Sequence, residues 1–575
     1  MASMKRIKSV TLILVSFLLA SCGVNISPSS SSGLPDEGSS SSTTESGQSI
    51  TSSSVDESKS ESQTSKSSEE STPYESSSTA TSEDSSEGET ESSVPEETFS
   101  STESSSSEIL NKDGVYHFYC VNDFHGAVVE QMNGSYYEVG ISKYFGELRK
   151  LKEEDPDHTI LLSAGDMFQG SLESNSNYGM LVTEAMNEAG FEAMTIGNHE
   201  FDYGSKRLLD IIDKAEFPVL GGNIMKYDNG PTNEIWNPSI KTSTVIQKGN
   251  AKIGVVGMIG EGQTTSISSQ HVQDITFVAH EQLAKTEATR LRNEEGCDIV
   301  ILVVHDNFGN SSYAANRMYF DGVFNAHTHR REVYYRNNVP CVQSICDGEA
   351  YSYFDITINN NSTSCTSYGV EYVEEDFYDD EDIASIRDKY ILDEDFVAKA
   401  SSYAGRVNGT LGAKEGVSNL CCKAIYEEYI DDYPNLACTM MNGQRAQLSG
   451  EITYRDIVKA TPFTNHIVFA SVKGADILAE AEYNLSYTGD EEKYRYLDPD
   501  AYYDVGVIDY VLYHQNVNKV YDYFPSLNDF GGGKIYAEYE RYPFDLAFEY
   551  IKENLHGEVN ASSFKSGSNG FSIYA

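Results

Sequence analysis

Gly197-Asn198-His199-Glu200-Phe201-Asp202 stands directly after a short apolar run, Ala193-Met194-Thr195-Ile196. It carries an amide, an imidazole and a carboxylate within five positions. Four other stretches share this construction, an apolar run that stops at Asp, Asn or His. The run 115–121 stops at Asn122-Asp123-Phe124-His125-Gly126, and the run 159–164 stops at Gly165-Asp166. The strongly apolar run 298–304 ends at His305-Asp306-Asn307, and 322–326 leads into His327-Thr328-His329. A further apolar run covers 252–257. Helical patterns over 141–152, 180–189 and 281–293 separate these runs, the second followed by Gly190 as a helix C-cap would be. Near-continuous apolar strands alternating with helices predict sheets covered on their outer faces.

In α/β architectures sites form at the carboxyl ends of strands. The five strand ends would therefore gather Asp123, His125, Asp166, Asn198, His199, Asp202, His305, His327 and His329 at one mouth. Alone, each ending is bland: a Gly-Asp is usually a turn, and a single His is usually a satisfied core residue. His327 and His329 are stronger, because residues two apart face the same way on extended backbone. Five such ends in one domain point to metal binding. Histidine with Asp and Asn, and no Cys, suits zinc, manganese or iron(II). The ligands are too many for one tetrahedral ion. Two divalent ions sharing a carboxylate would use them, an arrangement suited to phosphoryl transfer.

These motifs, in this order, resemble those of the calcineurin-like metallophosphoesterases, and more narrowly the 5′-nucleotidase / UDP-sugar hydrolase family. The resemblance runs from about 115 to 555. It implies a four-layer α/β/β/α sandwich followed by a smaller mixed α/β substrate-binding domain. It also implies roles. Asp123, His125, Asp166 and His329 would hold one metal; Asp166 as bridge, Asn198, His305 and His327 would hold the other. His199, oriented by Asp202, would act as acid or transition-state stabiliser on the leaving side. In two places the sequence departs from the family. Asp306-Asn307 stands where a small or Gly-containing turn is usual, and Asn325-Ala326 replaces glycines before His327.

The second domain, about 406–575 beyond a linker at 379–405, carries fewer marks. The linker is readable as helix over 383–404, broken near Asp393, and 417–429 reads as a further helix. By resemblance, Arg445 would reach the substrate phosphate, and Phe463 and Tyr510 would sandwich a base, Tyr510 lying on the strand-like stretch 505–511. Here the family pattern is altered. Met440 replaces its first Asn, and Lys414 is the basic group closest to an expected upstream Arg. The acidic residue expected after Tyr510 falls on Gln515 or Asn516.

The N-terminus reads as targeting and tether. Basic residues at 4–8 precede an apolar stretch, 10–20, too short to span a bilayer comfortably, and Leu19-Ala20-Ser21-Cys22 looks like a bacterial lipobox. Residues 1–22 would be the signal segment with its lipobox, and cleavage before Cys22 would leave that thiol to be lipidated. Residues 23–110 are mostly Ser, Thr and acids, with Lys59 and Lys66 the only opposing charges over 25–108. Such a segment cannot bury enough surface to offset its ordering entropy, so a disordered spacer is expected. The formal net charge of −48 argues against nucleic-acid binding. Cys120 and Cys297 are expected as buried thiols, while Cys341 and Cys346 could pair.

Together these observations predict a surface-anchored two-metal phosphoesterase, with the phosphoesterase domain at 111–378. By resemblance it would cleave nucleoside 5′-monophosphates through a metal-bound hydroxide. The alternatives are a cyclic-nucleotide diesterase or nucleotide-sugar pyrophosphatase, and, in another class, a surface protein that binds without turnover.

Overall fold

A computed structural model describes residues 111–133, 136–374, 376–483, 485–513, 521–528 and 531–565. The expected signal segment with Cys22, the tether, Gln515 and Asn516 lie outside them.

Two six-stranded sheets form the first domain. The first places Gly114–Val121, Thr159–Ser163, Ala193–Thr195 and Val219–Leu220 side by side and parallel, with the antiparallel pair Ala350–Asn359 and Ser362–Tyr372 completing one edge. The second has a parallel centre of Ala251–Ile259, Ile299–His305, Gly322–Phe324 and Val339–Gln343, flanked by antiparallel Ser243–Lys248 and Glu332–Arg336. Alternation along each strand sorts its side chains between layers. Ile299, Ile301 and Val303 join Phe118, Ile160 and Leu162 in the core between the sheets. Val300, Leu302 and Val304 face outward beneath Ala284, Ala288 and Leu291 of the helix His280–Asn293. On the opposite side Leu161 packs with Phe145, Leu148 and Val182, under the helices Ile141–Glu154 and Met180–Ala189. The result is the expected α/β/β/α order. Phe324 and Phe354 stack across the inter-sheet core at 4.2 Å. Gly322 lets that ring approach, since a Cβ there would lie 2.4 Å from it.

Helices Glu381–Ile391 and Glu394–Ala400 follow, the second capped by the Asp393 side chain. The second domain is built on a five-stranded sheet, ordered Ser486–Gly489, Leu436–Met441, Tyr502–Ile508, Ile467–Lys473 and Lys534–Tyr539, and a three-stranded sheet around Tyr403–Leu411. One hydrophobic core joins these sheets to the helices Ser418–Tyr429, Tyr454–Ala460 and Pro543–Glu553. Its short helix Tyr454–Ala460 lies against Leu172–Asn175 of the first domain, beside the strand ends. No helix among the described residues is long and apolar enough to cross a membrane.

Candidate active site

The parallel strands deliver their carboxyl ends to one place. Asp123, His125 and His329 offer ligand atoms within 4.8 Å of one another, and Asp166, His305 and His327 do the same. Asn198 joins the second group, with Oδ1 3.1 Å from His305 Nε2 and 3.0 Å from His327 Nδ1. Every predicted metal ligand is thus brought to this mouth. Asp123, His125, Asp166, His327 and His329 all have φ between 49° and 75°. This left-handed region is costly for residues other than glycine, and such strain persists where the surroundings over-determine the backbone. Here part of that hold is visible. Asp123 accepts the His327 amide at 3.0 Å, and the His125 amide donates to the Asp166 carbonyl at 3.0 Å. Gly197 makes close approach possible, because a Cβ there would sit 2.3 Å from Asp166 Oδ1.

Backbone carbonyls set the histidine tautomers. His305 Nδ1–H donates to Ala164 at 2.7 Å, and His125 Nδ1–H donates to Gln169 at 2.9 Å. Each ring then turns a bare Nε2 into the site. His305 Nε2 lies 3.1 Å from Asp166 Oδ2 as well as 3.1 Å from Asn198 Oδ1, and His125 Nε2 lies 3.0 Å from His329 Nε2. Lone pairs converging at such distances in a buried site call for a cation. The same demand appears in the titration of His305: burial opposes its charge, but the carboxylates of Asp166 and Asp123 lift its pKa to about 10. Asp123 and Asp166, although burial opposes their ionisation, are held below the usual carboxylate range by the neighbouring imidazoles. Burial first, and then neighbouring positive charge, pushes His327 down to about 4 and His125 well below an ordinary imidazole, the neutral form a metal requires. The donor set and its electrostatics fit a divalent ion in each of the two groups.

His199 and Asp202 stand at the rim. His199 Nδ1 is 2.7 Å from Asp202 Oδ2, so that nitrogen holds a proton and Nε2 faces outward. Burial works against a charged His199, yet Asp202 and Asp166 raise its pKa above the ordinary value. Arg445 arrives from the second domain, its Nη2 2.9 Å from His199 Nε2. Phe463 lies beside the same imidazole with ring centroids 5.8 Å apart, and Arg445 lies 5.3 Å over the Phe463 ring.

Glu200 has a part that sequence reasoning missed. Fully buried, it accepts backbone N–H groups of Asp166 at 2.9 Å, Met167 at 2.8 Å and Gly197 at 2.6 Å, tying two ligand-bearing loops together. Burial, then the Asp166 carboxylate, raises its pKa to about 7 against those amides. Its place between two ligand positions was the available signal; which atoms it would meet was not. Gln169 and Asn175 were also missed. Both donate to the Pro462 carbonyl of the second domain, at 3.1 and 2.9 Å.

Several expectations change in detail. Tyr510 is on the short helix Asp509–Leu512, since the strand stops at Ile508 and the Asp509 carboxylate accepts the Tyr510 amide at 2.6 Å. Its hydroxyl donates to the Thr265 carbonyl of the first domain at 3.3 Å. Met440 is a buried strand residue. Cys341 and Cys346 are free thiols, as are buried Cys120 and Cys297. The two departures, one after His305 and one before His327, support one another. Asn325 Nδ2 donates to the Asp306 carbonyl at 3.2 Å, and Asp306 turns its carboxylate toward His280, 3.5 Å away.

Comparison with known proteins bears on both domains. The calcineurin-like phosphoesterase family matches residues 116–331, and the 5′-nucleotidase C-terminal domain family matches 397–489. An apyrase of Tabanus yao is 31% identical over 36% of this chain and 38% of its own length. Protein UshA of Yersinia enterocolitica is 24% identical over 62% of this chain and 74% of its own. The crystal structure of a 5′-nucleotidase precursor from Thermus thermophilus superposes with a TM-score of 0.64 at 19% identity, covering 78% of this chain and 97% of that one.

Proposed function

The chain is a calcineurin-like metallophosphoesterase domain joined to a 5′-nucleotidase C-terminal domain, and from that premise we propose that it hydrolyses nucleoside 5′-monophosphates to nucleoside and phosphate. The observation that carries this substrate is the meeting of Arg445 and Phe463 at His199, which sets a phosphate-binding guanidinium and a flat apolar ring beside the metal ligands. Asp123, His125 and His329 would hold one ion and Asn198, His305 and His327 the other, with Asp166 between. Divalent ions there polarise a phosphoryl group and lower the pKa of water. The protein's own groups do the rest. A phosphate oxygen entering between Arg445 and His199 accepts from the guanidinium and releases His199 Nε2 from it. With its pKa raised, His199 then carries a second proton at Nε2 and delivers it to the leaving oxygen, while Asp202 keeps the ring oriented. Phe463 stacks the base.

The basic and apolar N-terminal segment ending at Cys22 supports a place on the outer face of the bacterial cytoplasmic membrane, through a lipid on that cysteine. Labelled fatty acid incorporated into the wild type and not into Cys22→Ser would agree; equal labelling of the two would not. The activity is tested by phosphate release from adenosine 5′-monophosphate, 2′,3′-cyclic adenosine monophosphate, UDP-glucose and an aryl phosphate, with manganese, zinc or chelator. Chelator-sensitive turnover favouring the 5′-monophosphate is expected. Turnover of the aryl phosphate or a diester alone would retain the metal site and discard the base-stacking role of Phe463 and Tyr510. No turnover with either metal would favour a binding protein.

A further inference from the structure

Arg445 and Phe463 reach the metal mouth from another domain, and their placement traces to one helix. Arg455 and Lys459, four apart on Tyr454–Ala460, share a face and point the same way. Each meets a buried carboxylate of the first domain. Lys459 Nζ lies 2.8 and 3.0 Å from the two oxygens of Glu138, whose side chain is 3% exposed. Arg455 Nε lies 2.5 Å from Glu173, 1% exposed. The helix ends where the substrate groups begin. The Arg445 amide donates to the carbonyl of Ala460, its last residue, at 2.9 Å. Pro462, two residues on, accepts from Gln169 and Asn175 and is followed by Phe463. Asn175 is itself aimed by Tyr203, whose hydroxyl donates to Asn175 Oδ1 at 2.6 Å. At its other end the helix belongs to its own domain, with a capping box between Thr453 and Asp456 and a hydrogen bond from Tyr454 to Asp545.

We propose that Arg455 and Lys459 are positioning residues: they seat this helix on Glu173 and Glu138 of the metal domain and so set Arg445 and Phe463 against His199. Removing one partner of such a pair leaves a buried carboxylate uncompensated, so the helix end shifts rather than tolerating it. Small displacements of substrate-holding groups are costly to turnover.

The assignment rests on the nucleotidase function proposed above, and the test separates the two. Hydrogen exchange of the substrate-free protein is compared for wild type, Lys459→Met and Lys459→Arg, alongside turnover of adenosine 5′-monophosphate. In Lys459→Met, peptides covering 443–463 should lose protection while the strand Ile467–Lys473 keeps it. KM should rise about tenfold or more with manganese binding unchanged, and Lys459→Arg should restore protection and KM to within about threefold of wild type. Arg455→Met should repeat the pattern. Unchanged protection over 443–463 would overturn the assignment, and so would loss spread over the whole second domain, which would mark a merely structural pair. Failure of the wild type to cleave the nucleotide would overturn the proposed substrate and leave the exchange result to decide the positioning role.

Discussion

Each candidate metal ligand is held within five residues of a strand end of the first domain, whereas Arg445 and Phe463 hang from the end of one short helix of the second. The metal mouth is fixed by many short backbone hydrogen bonds, by Glu200 beneath two loops and by tautomers set through carbonyls. The substrate face is fixed across a seam, by two ion pairs and two side-chain amides. The difference assigns separate sensitivities. Damage to the mouth should remove chemistry whatever the substrate; damage to the seam or face should alter which substrate is used and how tightly it is held.

The largest effect expected is at Asp166, the carboxylate proposed to lie between the two ions. Asp166→Ala should cut kcat/KM on every substrate by roughly 10³-fold or more, and metal analysis should find fewer than two ions per chain. A variant that kept two ions and most of its turnover would remove Asp166 from the centre of the mouth. His199→Ala comes next, with a loss of about 10²–10⁴-fold in kcat and full metal content, because it would take away the proposed proton delivery and leave the candidate ligands. Asp202→Asn should fall less far and in the same parameter.

Glu200→Gln sharpens the comparison from within the mouth. An amide can accept at one oxygen only and presents N–H groups where a second backbone N–H now binds. Metal affinity should weaken about 10–100-fold, seen by calorimetry without any substrate. Phe463→Ala probes the opposite side. Loss of one stacked base is worth ~1–3 kcal/mol, so KM for the 5′-monophosphate should rise by about tenfold, while an aryl phosphate with a smaller ring should change little. Equal losses on both substrates would mean that Phe463 shapes the mouth rather than the face.

How much of this the sequence discloses follows the same division. The helix Met180–Ala189 and its Gly190 cap, with φ of 77°, are legible because periodicity and capping are local. The ligand positions are legible because each follows an apolar run. The left-handed backbone at Asp123, His125, Asp166, His327 and His329 is not, since Asp and His enter that region more readily than most residues but still seldom; tertiary hydrogen bonds hold it here. Asp306 and Asn325 look like unrelated departures in the sequence and prove to be one, linked by a hydrogen bond across 19 positions. At the face, Tyr510 reads as strand because 505–511 resembles a strand of the family, but the strand ends at Ile508 and the Asp509 carboxylate accepts the Tyr510 amide as a short helix begins. Arg455 and Lys459 look like ordinary solvated charges on a short helix. Only the carboxylates waiting in another domain give them a task.

The smallest effect expected lies at the seam and runs with pH. Glu349 is half-buried near Asp347, Glu138 and Lys459. Burial first, then the two carboxylates, raises its pKa from the usual value to about 8, with Lys459 opposing. A carboxyl with a raised folded pKa keeps its proton in the native state while the unfolded chain gives it up. The native state therefore binds more protons between about pH 4.5 and 8, and stability falls as pH rises through that window. Glu349→Gln removes the proton from the balance. The variant should match wild type near pH 4.5 and unfold later than wild type above pH 8, by about 1 kcal/mol once solvent screening at a half-buried group is allowed for. Thermal unfolding at the two pH values measures the gap. A gap equal at both would show that Glu349 does not titrate across the window. A gap that opens with pH and widens in a Lys459→Met background, where the opposing positive charge is gone, would show that Lys459 and the carboxylates around Glu349 are coupled.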